Sequence, residues 1–205
     1  MGATFTARLA SVATRCGFAL GCFAVRVFPR HWLFGLADGL ASLGYLLFNG
    51  FRARSTENIA TAFHELSETA VRSIARRSLR NFFRDCVEIG VVLESSDEEV
   101  RDQVPIIGKE YLDAALEKGS GVFVLSAHLG NFFLLGTRLA LEGYPVFVLV
   151  NQPNDGQFAE LMDQYRLKVK QRTIHARPRR AALRQLNEVL RRNEIAVVIA
   201  DEYRR

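Results

Sequence analysis

The stretch GVFVLSAHLGNFFLLG, residues 121–136, decides how the chain is built. Val122–Leu125 is a short run rich in β-branched and apolar residues, bounded on one side by Gly121 and on the other by a turn carrying His128 and Gly130. From Phe132 the apolar residues resume and continue to Leu141, long enough for a helix. Strand, turn and helix in that order make the opening half of a βαβ unit. The same alternation spreads outward from it. A helix is expected over Tyr111–Lys118 before the stretch, then strands over Val146–Val150, Val169–His175 and Ile195–Ala200. Helices are expected over Asp155–Leu167 and Arg179–Arg192 between them. Strands separated by helices pair in parallel with both faces covered, so the expected class is α/β, a mostly parallel sheet flanked by helices.

The front of the chain differs. The run CGFALGCFAV, residues 16–25, lies between Arg15 and Arg26 and is too short to span a bilayer. Residues 32–51, WLFGLADGLASLGYLLFNGF, come nearer to spanning length, but Asp38 and the glycines weaken the run. It is expected to be an interfacial or core helix rather than a span. No small-x-small cleavage site follows the first run, so no cleaved leader is expected. Together the two runs read as an apolar helical hairpin ringed by Arg8, Arg15, Arg26, Arg30, Arg52 and Arg54. That is a pattern an anionic leaflet attracts.

From Ser67 to Leu93 apolar residues recur at helical spacing, with Arg72, Arg76, Arg77, Arg80 and Arg84 mostly off that stripe. These arginines could meet lipid phosphates or form a solvated face. The acidic connector ESSDEEVRDQ, residues 94–103, is the candidate for an internal boundary. The expected division is a helical region over residues 1–66 and an α/β part over 67–205.

Composition limits the function. Of 27 basic side chains 23 are Arg, and the net charge is +5. Arg takes phosphate bidentately, so an anionic partner fits, as does a merely Arg-rich composition. Cys16, Cys22 and Cys86 show no C-x-x-C spacing, which argues against a zinc site or a disulfide framework. No metal and no cofactor is expected. A nucleic-acid role would interleave aromatic and basic residues, whereas most of the 15 Phe lie in apolar stripes.

In open parallel sheets ligands bind beyond the carboxyl ends of the strands. Three segments qualify: Ser126-Ala127-His128, Asn151-Gln152-Pro153 and Asp201-Glu202-Tyr203. They share one rim if their strands are neighbours. His128 can take a proton near neutral pH, and the Gly130 and Asn131 amides could face an anion at the following helix start. That suits activating a hydroxyl for attack on a carbonyl. A histidine merely hydrogen-bonded at a strand end fits the spacing alone slightly better. The basic turn at Arg177, Arg179 and Arg180 could hold a phosphopantetheine or an acidic carrier protein, or be a solvated helix start. His31, His64 and His175 carry no comparable pattern.

GVFVLSAHLGNFFLLG, with RARSTENIATAFHELSETAVRSIARRSLRNFF upstream and EVLRRNEIAVVIADEYRR downstream, resembles the lipid A biosynthesis acyltransferase family within the lysophospholipid acyltransferase superfamily. The resemblance implies a membrane-bound bacterial enzyme on the cytoplasmic face of the inner membrane. It would move a fatty acyl group from an acyl-carrier-protein or acyl-CoA thioester to a hydroxyl of a glycolipid or lysophospholipid acceptor. In that family the motif histidine is the general base and an acid five residues later orients it, as the aspartate does in serine-hydrolase triads.

Three departures stand out. Phe133 occupies the position of the orienting acid, and Gln152 stands where relatives often have Arg. Relatives also continue well past the point where this chain ends, four residues after Asp201. A fragment, a truncated product or a divergent branch would each account for that. The expected catalytic residues are His128, with Asp201 supporting it from the same rim. Gly130, Asn131, Gln152, Arg177 and Arg180 are expected to bind substrate. The alternative is an inactive relative that binds lipid or acyl carrier without turnover.

Overall fold

The computed structural model describes residue 17 and residues 19–151 and 156–201. The contacts divide it into two compact units, Phe18–Glu94 and the part carrying Ser95–Arg205. The division falls at the acidic connector. The long helix before it, placed with the α/β part from sequence, groups instead with the front end because its buried face is spent on the preceding helices.

In the first unit α1 spans Arg30–Leu47, α2 Asn49–Ala62 and α3 Glu68–Glu94. Pro29 precedes α1, where its missing N–H costs nothing. Phe48 leaves helical geometry and splits the long apolar run into two helices. Leu33, Ala37, Ala41 and Gly44 form the buried stripe of α1, and Val71, Ala75 and Leu79 that of α3. Small residues at three of the four α1 positions let the helices approach closely; Leu79 lies 3.8 Å from where a Gly44 Cβ would stand. Asp38, the charge that interrupts the apolar run, receives Arg84 Nε at 2.7 Å and Nη2 at 2.6 Å. Its hydrogen bond from Arg84 holds its carboxyl below the usual range. Among the described residues no helix is long and apolar enough to cross a membrane.

One residue around the helix from the buried stripe, α1 carries a second apolar row. Trp32, Leu36, Leu40, Leu43 and Leu47 are all exposed. Leu46, Phe48 and Phe51 extend it around the α1–α2 elbow. A continuous apolar surface of this kind marks an interaction site.

The second unit opens with α4 (Asp97–Gln103), started by a capping box between Ser96 and Glu99. There follow α5 (Lys109–Leu116), β1 (Val122–Ser126), α6 (Phe132–Leu141), β2 (Val146–Val150), α7 (Gly156–Lys168), β3 (Arg172–His175), α8 (Arg179–Arg191) and β4 (Ile195–Ile199). The four strands are all parallel, in the order β1-β4-β2-β3. The fold is α/β. Successive strand residues face opposite sides, and each side has its own core. Leu139, Val146, Ile195 and Val197 pack with Leu112 and Leu116; Phe147, Ile174 and Ala196 pack with Ala182 and Val189.

The start of β1 is fixed by a junction of three segments. Gly121 has φ 70°, and a Cβ there would stand 2.6 Å from the Leu190 backbone, so only glycine fits. Its N–H donates to Asn193 Oδ1 at 2.9 Å, while Asn193 Nδ2 donates to the Leu116 carbonyl at 3.0 Å.

Candidate active site

Parallel pairing puts Ser126 opposite Ile199, the last residues of β1 and β4. The ladder runs one step further, where the Ala200 N–H donates to the Ser126 carbonyl at 2.9 Å. His128 and Asp201 each lie two residues beyond that last pair, so the register itself brings them together. Asp201 Oδ2 accepts the His128 backbone N–H at 2.8 Å, and Oδ1 lies 2.8 Å from the ring Nδ1. An ionised carboxylate only accepts, so this contact assigns the proton to Nδ1 and leaves Nε2 as the basic nitrogen. The His128 amide hydrogen bond, and then the ring's, hold the Asp201 carboxyl below its usual range; partial burial opposes them. Phe132 meets the imidazole edge-on at 5.1 Å between centroids, limiting its rotation. The side chains of His128 and Asp201 remain 47% and 41% exposed, so reactants can reach them.

His128 borders a cavity of about 440 Å³ between α6 and the sheet, within the range of small-molecule sites, about 300–1,000 Å³. Phe132, Phe133, Leu135, Leu139, Val148, Val197 and Ile199 make its walls mostly apolar. It extends from the rim level of Ser126 and Ile199 to that of Val148 and Val197, two residues or about 7 Å down the strands. Asn151 stands at the rim, and Arg166 and Gln171 supply further polar lining.

Phe133, the residue in the acid's expected place, is buried in this wall. Its carbonyl accepts from Gln171 Nε2 at 3.3 Å and Thr137 Oγ1 at 3.0 Å. Gln171 lies flat against Gly136, where a Cβ would stand 3.0 Å from its amide carbon. The helix start where the resemblance placed an acid is here committed to packing, and the carboxylate beside His128 comes from the end of β4.

Two residues of this region were not singled out from sequence. Arg166 is largely buried and donates to Asp163 Oδ1 at 3.2 Å; burial lowers its pKa. Asp163 also accepts from Thr173 Oγ1 at 2.8 Å and faces His175 Nε2 at 3.3 Å. The i,i+3 spacing of Asp163 and Arg166, beside buried Tyr165, was the available signal.

The remaining expected residues are not all gathered here. Gly130 takes φ 58° in the turn after His128, and Asn131 ends that turn at the start of α6. Gln152 lies outside the described residues, as does Glu202 of the third rim segment. Arg177 and Arg180 are exposed at the start of α8, after β3. β3 and β1 are opposite edges of the sheet, about 14 Å apart at strand spacing. The structure therefore does not bring these arginines to His128.

The family described as bacterial lipid A biosynthesis acyltransferase matches residues 8–204. The chain belongs to that family. It is an acyltransferase of lipid A biosynthesis, and the family implies an acyl donor and a lipid acceptor. A comparison with curated proteins gave no match. Within this acyltransferase the His128–Asp201 pair stands at the carboxyl edge of the sheet, at the mouth of an apolar cavity.

Proposed function

We propose that the protein transfers a fatty acyl group from an acyl-carrier-protein or acyl-CoA thioester to a hydroxyl of a glycolipid or lysophospholipid. His128 acts as the general base. The observation that carries this reading is the doubly bonded His128–Asp201 pair beside an apolar cavity. His128 Nε2 removes the proton of the acceptor hydroxyl as its oxygen attacks the thioester carbonyl. The tetrahedral intermediate collapses with cleavage of the C–S bond, and the imidazolium returns its proton to the departing sulfur. Asp201 keeps the ring in the productive tautomer and stabilises the imidazolium. The apolar cavity takes the acyl chain, and the Gly130–Asn131 turn stands near the developing oxyanion.

The exposed apolar row of α1 is read as a membrane-surface face, holding the enzyme on the cytoplasmic side of the bacterial inner membrane. Trp32 at one end is a residue type that settles at the lipid–water interface, and Phe48 and Phe51 at the other extend the apolar face.

The test is transfer from acyl thioesters by the full chain in detergent, with His128→Ala alongside. Loss of transfer in a variant that melts at the wild-type temperature supports the base assignment. Full activity in the variant would overturn it. Thioester binding without transfer by the wild-type chain would leave a binding protein instead.

A further inference from the structure

Arg72, Arg76, Arg80 and Arg84 stand four residues apart on α3 and form one row of like charge, a spacing at which side chains repel. Glu68 pairs with Arg72 at one end, and Asp38 with Arg84 at the other. Between them Arg76 has no ion-pair or hydrogen-bond partner among the described residues. Arg72 and Arg76 line a groove of about 880 Å³ whose opposite wall is α2, with Arg52, Asn49 and Thr56. Tyr45 and Leu46 close it at the end of α1.

Arg52 is already fixed. Its Nη1 donates to the Tyr45 and Leu46 carbonyls at 2.8 and 3.0 Å, and Nη2 to Asn49 Oδ1. Carbonyls orient the guanidinium without neutralising it, so a preset cation faces Arg72 and Arg76. Three arginines share the groove with one carboxylate, Glu68. Leu46 belongs both to the groove and to the exposed apolar surface around Leu43, Leu47 and Phe48.

We propose that this groove binds the phosphate of an anionic lipid headgroup. The inference rests on reading α1 as a membrane-surface helix, and it adds a defined site to that reading. A bilayer covering the apolar row would present its phosphates beside Leu46, at the mouth of the groove. Arg forks match phosphate oxygens two at a time. A nucleic acid also offers phosphates but would leave Leu43, Leu46 and Phe48 without an apolar partner.

Flotation of the full chain with phosphatidylcholine vesicles, with and without phosphatidylglycerol, tests this. Arg72→Gln with Arg76→Gln should weaken binding to the phosphatidylglycerol vesicles by about 30-fold and leave phosphatidylcholine binding unchanged. Arg54→Gln with Arg77→Gln removes the same charge from exposed positions outside the groove and should cost only a few-fold. Equal losses in the two double variants would overturn the site in favour of general charge attraction. Retained phosphatidylcholine binding with no gain from phosphatidylglycerol would overturn the groove alone. Failure to bind either vesicle would overturn the membrane face as well. A rise in melting temperature of the wild-type chain with inorganic phosphate as large as that with phosphatidylglycerol vesicles would reassign the groove to a free anion.

Discussion

Asp201 holds His128 at two points, the backbone N–H and the ring Nδ1, each at 2.8 Å. One carboxylate thereby fixes both where the histidine backbone sits and which way its ring faces. An acid on the following helix would reach the ring alone.

Asp201→Asn should keep the fold and lower kcat by about 10²–10⁴-fold, because an amide donor facing Nδ1 favours the wrong tautomer. Asp201→Ala should be at least as damaging. Acyl transfer with a single donor measures both, and activity in Asp201→Asn within a factor of two of wild type would remove Asp201 from the mechanism. The pH dependence has a fixed sign. The folded pKa lies below the ordinary 3.8, so this contact contributes stability above the unfolded pKa and loses it as pH falls through the lowered folded value. A carboxyl-carbon NMR titration should find the midpoint below 3.8.

Phe133→Glu places an acid at the position where the resemblance implies one. Here it should not restore anything, since position 133 is buried in the cavity wall and His128 already has a carboxylate. A glutamate there should destabilise the protein by about 3 kcal/mol or more and reduce transfer. Chemical denaturation and turnover measure the two effects, and increased turnover would show that Asp201 does not fill the role.

Gly121→Ala should cost about 1–3 kcal/mol through the left-handed backbone and more through its approach to Leu190. Asn193→Ala, which removes two hydrogen bonds at the same junction, should destabilise by a similar amount. Thermal melts of the two single variants and the double variant should reveal coupling, because both act on one contact.

Leu36→Ser with Leu43→Ser changes only exposed positions of α1. Stability in detergent should stay within about 0.5 kcal/mol of wild type, while partition to vesicles should fall by at least an order of magnitude, given about 1.5–3 kcal/mol per buried leucine. Unchanged partition would remove the face from membrane binding.

Most strands and helices of the second unit were legible because their apolar spacing switches between two periods. The helix inside the acidic connector was not foreseen, β3 begins three residues later than expected, and the turns at Lys170 and Asn193 carry no Gly or Pro. Val146–Val150 was legible to the residue, and Ile195–Ala200 to within one. The placing of Asp201 on the His128 rim was conditional on strand order, which local pattern does not carry. Parallel neighbours are set by where the crossover helices pack, and β4 enters between β1 and β2. Asp163 and Arg166 escaped notice for a different reason. A buried ion pair on a weakly amphipathic helix looks like surface charge until the cavity beside it is known. Asp38 likewise read as a defect in an apolar run, because its partner Arg84 is 46 residues away.

The pairing of β1 with β4 reaches beyond stability. A histidine and an acid on one turn can meet in a chain that is otherwise unfolded, whereas His128 and Asp201 are 73 residues apart and meet only through that ladder. Among the described residues β1 is an edge strand with β4 as its neighbour. A slip of a single residue between them would send Asp201 to the opposite face of the sheet. On the proposed mechanism the pair is thus a reporter of native register: any partly folded or misregistered form of this chain should be silent in acyl transfer, whatever secondary structure it retains.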